Sequence, residues 1–222
     1  MKYTPDQYIL WEKGIFNLNL TLVYTWAVMI FIILLSVIVT RKLSSGKKIS
    51  KLQNLLEAIV DGIDTQVRDM SENNVQHLMP LAGTLFIFIL VSNLISLIPG
   101  VIAPTASMST TAALAIFVFI SMMFYGMKKK GILGYFKKYL KPMPFLLPLN
   151  IISDISGNFA LAVRLYGNMM SGVVISAVML KIMFLAWGFP VFIQLLGLIS
   201  AVIQAYIFSV LAMIFIISAE SD

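Results

Sequence analysis

The apolar run from Leu18 to Thr40 ends in the basic segment RKLSSGKKISK, and a later run from Ala112 to Met127 ends in KKKGILGYFKKYLK. About 20 consecutive apolar residues are what a helix needs to cross the hydrocarbon of a bilayer. A further run from Leu78 to Ile98 stops at Pro99-Gly100. With 59% of the residues hydrophobic and 12% charged, against about 45–50% apolar in soluble domains, this is an integral membrane protein. The basic blocks hold Arg41, Lys42, Lys47, Lys48 and Lys51, then Lys128, Lys129, Lys130, Lys137, Lys138 and Lys141, with no acid among them. Positive loops stay on the cytoplasmic side. Counting crossings from there puts the N-terminus and the turn at 99–105 outside, and the C-terminus inside after five crossings.

The same charge pattern accounts for the net charge of +6 without nucleic acid, because the positives sit beside the spans. Zero cysteines exclude disulfides, thiolate metal sites and a cysteine nucleophile, and a single histidine, His77, leaves no zinc-ligand cluster. The N-terminal segment MKYTPDQYILWEKGIF carries acids and aromatics and lacks an apolar core with a small-residue cleavage site, so no cleaved signal or transit peptide is expected.

Between residues 51 and 70, Leu52, Leu55, Leu56, Ile59, Val60, Ile63 and Val67 recur at helical spacing, while Glu57, Asp61, Asp64 and Arg68 take other faces. The pattern predicts an amphipathic helix that either packs on a soluble partner or, as its tether beside a crossing favours, lies at the cytoplasmic interface. The C-terminal half predicts two long helices, 149–185 and 191–218, separated by WGFP. At 1.5 Å per residue they run to about 55 and 42 Å, longer than the roughly 30 Å of hydrocarbon, so both must tilt, bend or protrude. The expected fold is all-α: crossings at 18–40, 78–98 and 112–127, the interfacial helix at 51–70, and a long tilted hairpin at 149–185 and 191–218, in one membrane domain.

Arg164 lies in the middle of the first long helix, in ALAVRLYGNMMSG. Arginine stays protonated inside proteins, and within a bilayer it needs a partner, water or a route to the interface. Asp6, Glu12, Glu57, Asp61, Asp64, Asp69, Glu72, Glu220 and Asp222 all fall outside the hydrophobic helices or at their ends. Only Asp154 lies within one. It is ten residues from Arg164, about 15 Å along the axis and some 80° around it. The positions three and four residues away hold Leu161, Ala160, Gly167 and Asn168. The counter-charge of Arg164 is therefore expected from another subunit, or the site is wet. Ser153, Gly157, Arg164, Gly167, Asn168 and Ser171 fall near one stripe, and Gly197, Ser200 and Gln204 form another on the last helix. Small and polar stripes of this kind permit close helix approach.

ALAVRLYGNMMSG resembles the essential arginine segment of subunit a, the stator ion-channel subunit of F-type ATP synthases. The resemblance continues through PLAGTLFIFILVSNLISLIPG (80–100), PTASMSTTAALA (104–115) and IQAYIFSVLAMIFIISAE (203–220), and covers most of residues 20–220. It implies a non-catalytic membrane subunit that binds no cofactor and faces a ring of c subunits, each bearing one membrane carboxylate. Peripheral-stalk b subunits, lipids and, indirectly, the F1 sector would be the other partners, in a bacterial plasma membrane. By resemblance, Arg164 attracts each ionised ring carboxylate between two aqueous half-channels and blocks a direct leak. Asn168 and Gln204 match polar positions near that arginine, and Asn93 matches an asparagine of the family's third helix.

Several positions depart from the family's pattern. Val173 and Gly197 stand where many members have an acid and a histidine. Ser107 and Ser109 replace the acid and asparagine of PTADLNTT, and Asn150 replaces a glutamate, leaving Asp154 at the second acidic position. Oxygen ligands of this kind hydrate a hard cation as readily as they support a water wire. Both a proton channel and a sodium-translocating enzyme stay open. Asp154 stands where it could serve the cytoplasmic half-channel or simply face water. Lys181 reads as a snorkelling residue and His77 as an interfacial anchor. The competing function is a self-contained transporter binding an anionic substrate at Arg164, against which stands the absence of an inverted repeat and of paired broken helices. No Ser/His/Asp set or acidic pair in the spans supports an intramembrane enzyme.

Overall fold

The computed structural model describes residues 9–13, 16–41, 57, 61–62, 65, 76–97, 101, 103–140, 145, 147–182 and 189–220. Two short strands, β1 (Ile9–Lys13) and β2 (Phe16–Asn19), pair antiparallel ahead of the first helix, with a register shift between Ile9 and Trp11. They add a short hairpin to a chain whose other described elements are helical, as expected. Adjacent strands reach a partner within a few residues, whereas the apolar periodicity that marks spans carries no signal for so short a pair.

Five helices follow: α1 (Leu20–Arg41), α2 (Met79–Leu94), α3 (Met108–Leu140), α4 (Leu147–Ile182) and α5 (Phe189–Glu220). Three contain segments long and apolar enough to cross a membrane: Leu20–Ile38, Met108–Tyr135 and Leu196–Glu220. Helix α2 is apolar but only 16 residues long, flanked by 3-10 turns at Gln76–Leu78 and Ile95–Leu97. Helix α4 has 36 residues and carries the polar stripe that lowers its hydropathy. Pro148 and Pro190 each occupy the second position of a long helix, where the missing N–H costs nothing and the fixed φ suits the helix. Of the stretch 51–70, only Glu57, Asp61, Gly62 and Thr65 are described, all with helical backbone, and Thr65 Oγ1 donates to the Asp61 carbonyl at 2.9 Å. Its apolar face lies outside the described residues.

Helix α5 is the centre of the bundle, packing on α2, α3 and α4, while α3 also packs on α4 and α1 rests on α2 alone among the helices it touches most. The buried face of α5 is Ala201, Gln204, Ala205, Phe208, Ser209, Ala212, Met213, Ile216, Ala219 and Glu220, a strict three-four spacing. Its alanines and serine let neighbouring backbones approach closely, which is how helices associate in lipid. The outward residues of α1, among them Trp26, Ile30, Phe31, Ile33 and Leu34, are large, apolar and exposed, as a lipid-facing helix requires.

The basic block after Met127 does not end α3. The helix continues to Leu140 through a break at Gly131, whose φ is 76°, a conformation that glycine adopts without penalty. Beyond the break Tyr135 turns back and is buried in a cluster with Leu78, Ala82, Met122, Met213, Ile216 and Ala219. Gly126 makes room for it: a Cβ there would stand 2.7 Å from the tyrosine ring and 3.3 Å from Ala219 Cβ. At Gly157 a Cβ would meet only the outer edge of the half-buried Phe215, at 2.9 Å. Gly126→Ala is therefore expected to destabilise the purified protein by about 1–3 kcal/mol, the usual range for overpacking. Gly157→Ala should cost less, because Phe215 can swing aside. Thermal denaturation in detergent ranks the two, and equal midpoints would contradict this account of Gly126.

Candidate functional site

Helix α4 buries Asn158, Leu161, Ala162, Leu165 and Met169 against the bundle. The opposite face keeps Ser153, Arg164, Gly167 and Ser171 exposed, with Gly157 and Asn168 half-buried. The stripe read from the sequence is thus the face this chain leaves uncovered. Arg164 stands at its middle and, among the described residues, makes no salt bridge or hydrogen bond. The guanidinium is presented outward from the bundle rather than folded into it.

Helices α4 and α5 run antiparallel, and one side-chain bond sets their relation near the arginine. Asn168 Nδ2 donates to the Ser200 carbonyl at 3.4 Å. Arg164 lies one turn before Asn168 on α4 and Gln204 one turn after Ser200 on α5, so the two come to the same level. Ser171 Oγ donates to the Asn168 carbonyl at 2.9 Å. The second stripe divides: Gly197 and Ser200 are exposed, whereas Gln204 is buried. Its Nε2 is enclosed without a hydrogen-bond partner among the described residues. A buried amide donor in that condition costs about 1–3 kcal/mol unless water or a partner molecule meets it.

Asn93 is placed differently from the other polar candidates. It is 1% exposed, its Nδ2 donates to the Ala201 carbonyl at 3.3 Å, and its Oδ1 accepts from Thr105 Oγ1 at 2.6 Å. Thr105 belongs to the 3-10 turn Pro104–Ala106 that leads into α3. Both ends of the asparagine amide are occupied in joining three elements, so it braces α5 one residue beyond the carbonyl that Asn168 holds. Ser107 is fully buried and lies 2.8 Å from the exposed Ser109 hydroxyl, while its carbonyl accepts from Thr111 Oγ1 at 3.3 Å. Ser92 Oγ is likewise enclosed without a partner among the described residues. The buried polar groups Ser92, Asn93, Thr105, Ser107, Thr111 and Gln204 therefore gather around the end of α2, the start of α3 and the adjoining turn of α5.

Asn150 and Asp154 lie near the start of α4, both half-buried, and the Asp154 carbonyl accepts from Asn158 Nδ2 at 2.9 Å. They stand more than two turns from Arg164 and do not join its group. Val173 packs beside Ala106, Met169 and Ala201, and Gly197 has open space where a side chain would stand. Lys181 lies in the last turn of α4. No group of three or more His, Cys, Asp or Glu among the described residues could hold a metal ion.

A carboxylate that the sequence places merely at a helix end proves to be buried and paired. Glu220 is 5% exposed, with Oε1 2.9 Å from His77 Nε2 and Oε2 3.6 Å from Lys129 Nζ. His77 also lies against Tyr125, ring centroids 5.6 Å apart. The signal was faint: a glutamate at a helix C-terminus opposes the macrodipole, so its retention there calls for cations that come from elsewhere in the fold.

Known proteins resemble this chain along nearly its whole length. Residues 22–217 match the family model described as ATP synthase A chain. The chain is 52% identical over 220 residues to ATP synthase subunit a 2 of Acaryochloris marina, covering 99% of this chain and 93% of that protein. It is 46% identical to ATP synthase subunit a of Nitrosospira multiformis, covering 100% and 88%, and 45% identical to that of Albidiferax ferrireducens, covering 99% and 94%. The chain belongs to the ATP synthase A chain family, the subunit a proteins. ATP synthesis and ion transport are the processes this family serves.

Removing the Thr105 hydroxyl leaves Asn93 Oδ1 buried without a donor, so Thr105→Val is expected to cost about 1–3 kcal/mol. Ser109→Ala, at an exposed position, should cost less. Midpoints of thermal denaturation in detergent provide the comparison, and a Thr105→Val midpoint at or above that of Ser109→Ala would show that the Asn93 brace carries no load.

Proposed function

We propose that this chain is the ion-translocating stator subunit of the Fo sector of an F-type ATP synthase, working beside a ring of c subunits in a bacterial plasma membrane. In this reading it crosses five times, with its N-terminus outside and its C-terminus cytoplasmic, and b-type subunits link it to F1. The observation that carries the reading is Arg164: a permanent cation in mid-helix, on a face of α4 that the chain leaves uncovered, without a carboxylate partner among the described residues. A ring carboxylate in trans is the partner that such a face can take.

The chemistry follows from charge. A ring carboxylate that reaches Arg164 is favoured in its ionised form by about 4 kcal/mol at 4 Å and an effective dielectric constant of 20. That is close to a thousandfold shift in its protonation or ion-binding equilibrium. The approaching site therefore releases its ion before it passes, and an ion cannot cross directly between the half-channels because the fixed charge repels it. Asn168 aligns α4 with α5 at this level. Gln204 offers its unpartnered amide to water, to the guanidinium or to the carboxylate. The buried polar groups around Ser92, Ser107, Thr111 and Gln204 favour an aqueous inlet on the outer side, with Ser109, Ser171 and Ser200 at its exposed margins. Asn150 and Asp154 belong to the cytoplasmic path.

ATP-driven ion uptake into liposomes carrying the purified complex tests the assignment. Arg164→Ala is expected to abolish uptake while the complex remains assembled, and normal pumping by this variant would end the proposal. Collapse of uptake with a protonophore identifies protons; persistence or stimulation of sodium uptake identifies sodium. In the same assay Asp154→Asn is expected to slow transport, and an unchanged rate removes Asp154 from the path. A self-contained transporter would instead transport without migrating in a large complex that has ATPase activity.

A further inference from the structure

Helix α5 is tied to α2 by polar contacts at two points, near opposite ends of their shared interface. At one end the Asn93 amide holds the Ala201 carbonyl and is itself held by Thr105. At the other, the Glu220 carboxylate meets His77, in the turn that starts α2, and Lys129 of α3. Along α5 the two points are 19 residues apart, about 28 Å. Between them the buried face of α5 is mostly apolar, Gln204 and Ser209 apart: Ala82, Leu85 and Ile89 of α2 share clusters with Ala205, Phe208, Ala212, Met213 and Ile216 of α5.

An interface of this kind resists separation through close packing, but lipid tails are as apolar as its side chains and give no preference for one register over the next. Register is where the two polar ties differ from the rest. Slipping α5 by one turn would take the Ala201 carbonyl away from the buried Asn93 amide that now donates to it. It would also strip the buried Glu220 carboxylate of both its partners, the half-exposed His77 and Lys129, and a buried carboxylate left without partners is costly. The position of Glu220 reinforces the point, since a carboxylate at a helix C-terminus is repelled by the carbonyl end of the macrodipole and is tolerated here only with Lys129 and His77 in place.

We propose that Glu220, with His77 and Lys129, and Asn93, with Thr105, are positioning residues that together hold the axial register of α5 against α2. Through the Asn168 to Ser200 contact they also hold the common level at which Gln204 and Arg164 stand. The link to transport rests on the function proposed above: each ring carboxylate that passes Arg164 pulls on α4, α4 pulls on α5, and the two ties hand that reaction to α2 and α3. The register claim itself does not depend on that function.

The chain has no cysteine, so spin labels can be introduced at Thr84→Cys on α2 and Ile214→Cys on α5, both exposed, in an assembled complex otherwise free of cysteine. Pulsed electron paramagnetic resonance then reads the distance between the helices. One tie suffices to hold the register, so Glu220→Gln and Asn93→Leu alone should keep the wild-type distance. The two together should shift or broaden it on the scale of one helical turn, about 5 Å, and lower the number of ions moved per ATP hydrolysed. An unchanged distance in the double variant overturns the proposal. If that variant does not assemble, Glu220→Asp with Asn93→Leu decides: it keeps the carboxylate, so assembly with the wild-type distance supports the tie and failure to assemble overturns it. Arg164→Ala should keep the wild-type distance whatever its transport, which separates failure of the register claim from failure of the assigned function.

Discussion

Helices in lipid gain little from burying apolar surface against one another, because the surrounding tails are equally apolar. The whole arrangement therefore depends on the one helix face that can be approached closely. That face is the alanine-rich side of α5, with Ala201, Ala205, Ala212 and Ala219 at helical intervals and Phe208, Met213 and Ile216 filling the gaps between neighbours. Helices α2, α3 and α4 all pack on α5. Its axial position consequently decides what every other helix presents.

The same economy explains where the polar residues fall. Unsatisfied backbone and side-chain groups are expensive in hydrocarbon, so the polar side chains inside this bundle are concentrated at helix ends and turns: Asn93 and Thr105 at one end of α5's buried face, Glu220 at the other. The middle is mostly apolar, with Gln204 and Ser209 as its buried polar side chains. Arg164 breaks that rule at mid-helix, and it does so on the uncovered face of α4, where its charge is available to a second molecule. Gln204 is the one polar group of the buried α5 face that reaches the same level, enclosed and with an amide donor still to be met.

Much of this was legible in the residues. Leu18 to Thr40 and Ala112 to Met127 marked helices because apolar length is a direct requirement of the bilayer, and both overlap described segments long and apolar enough to cross a membrane. The acid count already separated Arg164 from any nearby carboxylate, since helical spacing fixes which residues can meet on one helix. Less legible were features that depend on contacts distant in sequence. The β1–β2 pair carries no apolar periodicity. The continuation of α3 past its lysines turns on the freedom of Gly131 and on the pocket that Gly126 leaves for Tyr135. Glu220 read only as an acid at a helix end, yet its partners lie 143 and 91 positions away along the chain, and nothing local announces them. Asn93 carried a family resemblance, but that its amide is spent on Ala201 and Thr105 could be read only from the packed helices.

By itself the sequence determined that the chain is embedded in a membrane, which segments are long helices, and that one helix carries a lone central arginine. These follow from local length, polarity and spacing, quantities that a helix expresses without reference to its neighbours. The tertiary structure alone decided which face of α4 stays uncovered, that Gln204 turns inward while Ser200 turns outward, and that Glu220 is buried between His77 and Lys129. Those outcomes are set by the rotation and axial register of packed helices. In an apolar solvent both are chosen by a few close contacts and polar ties rather than by hydrophobicity.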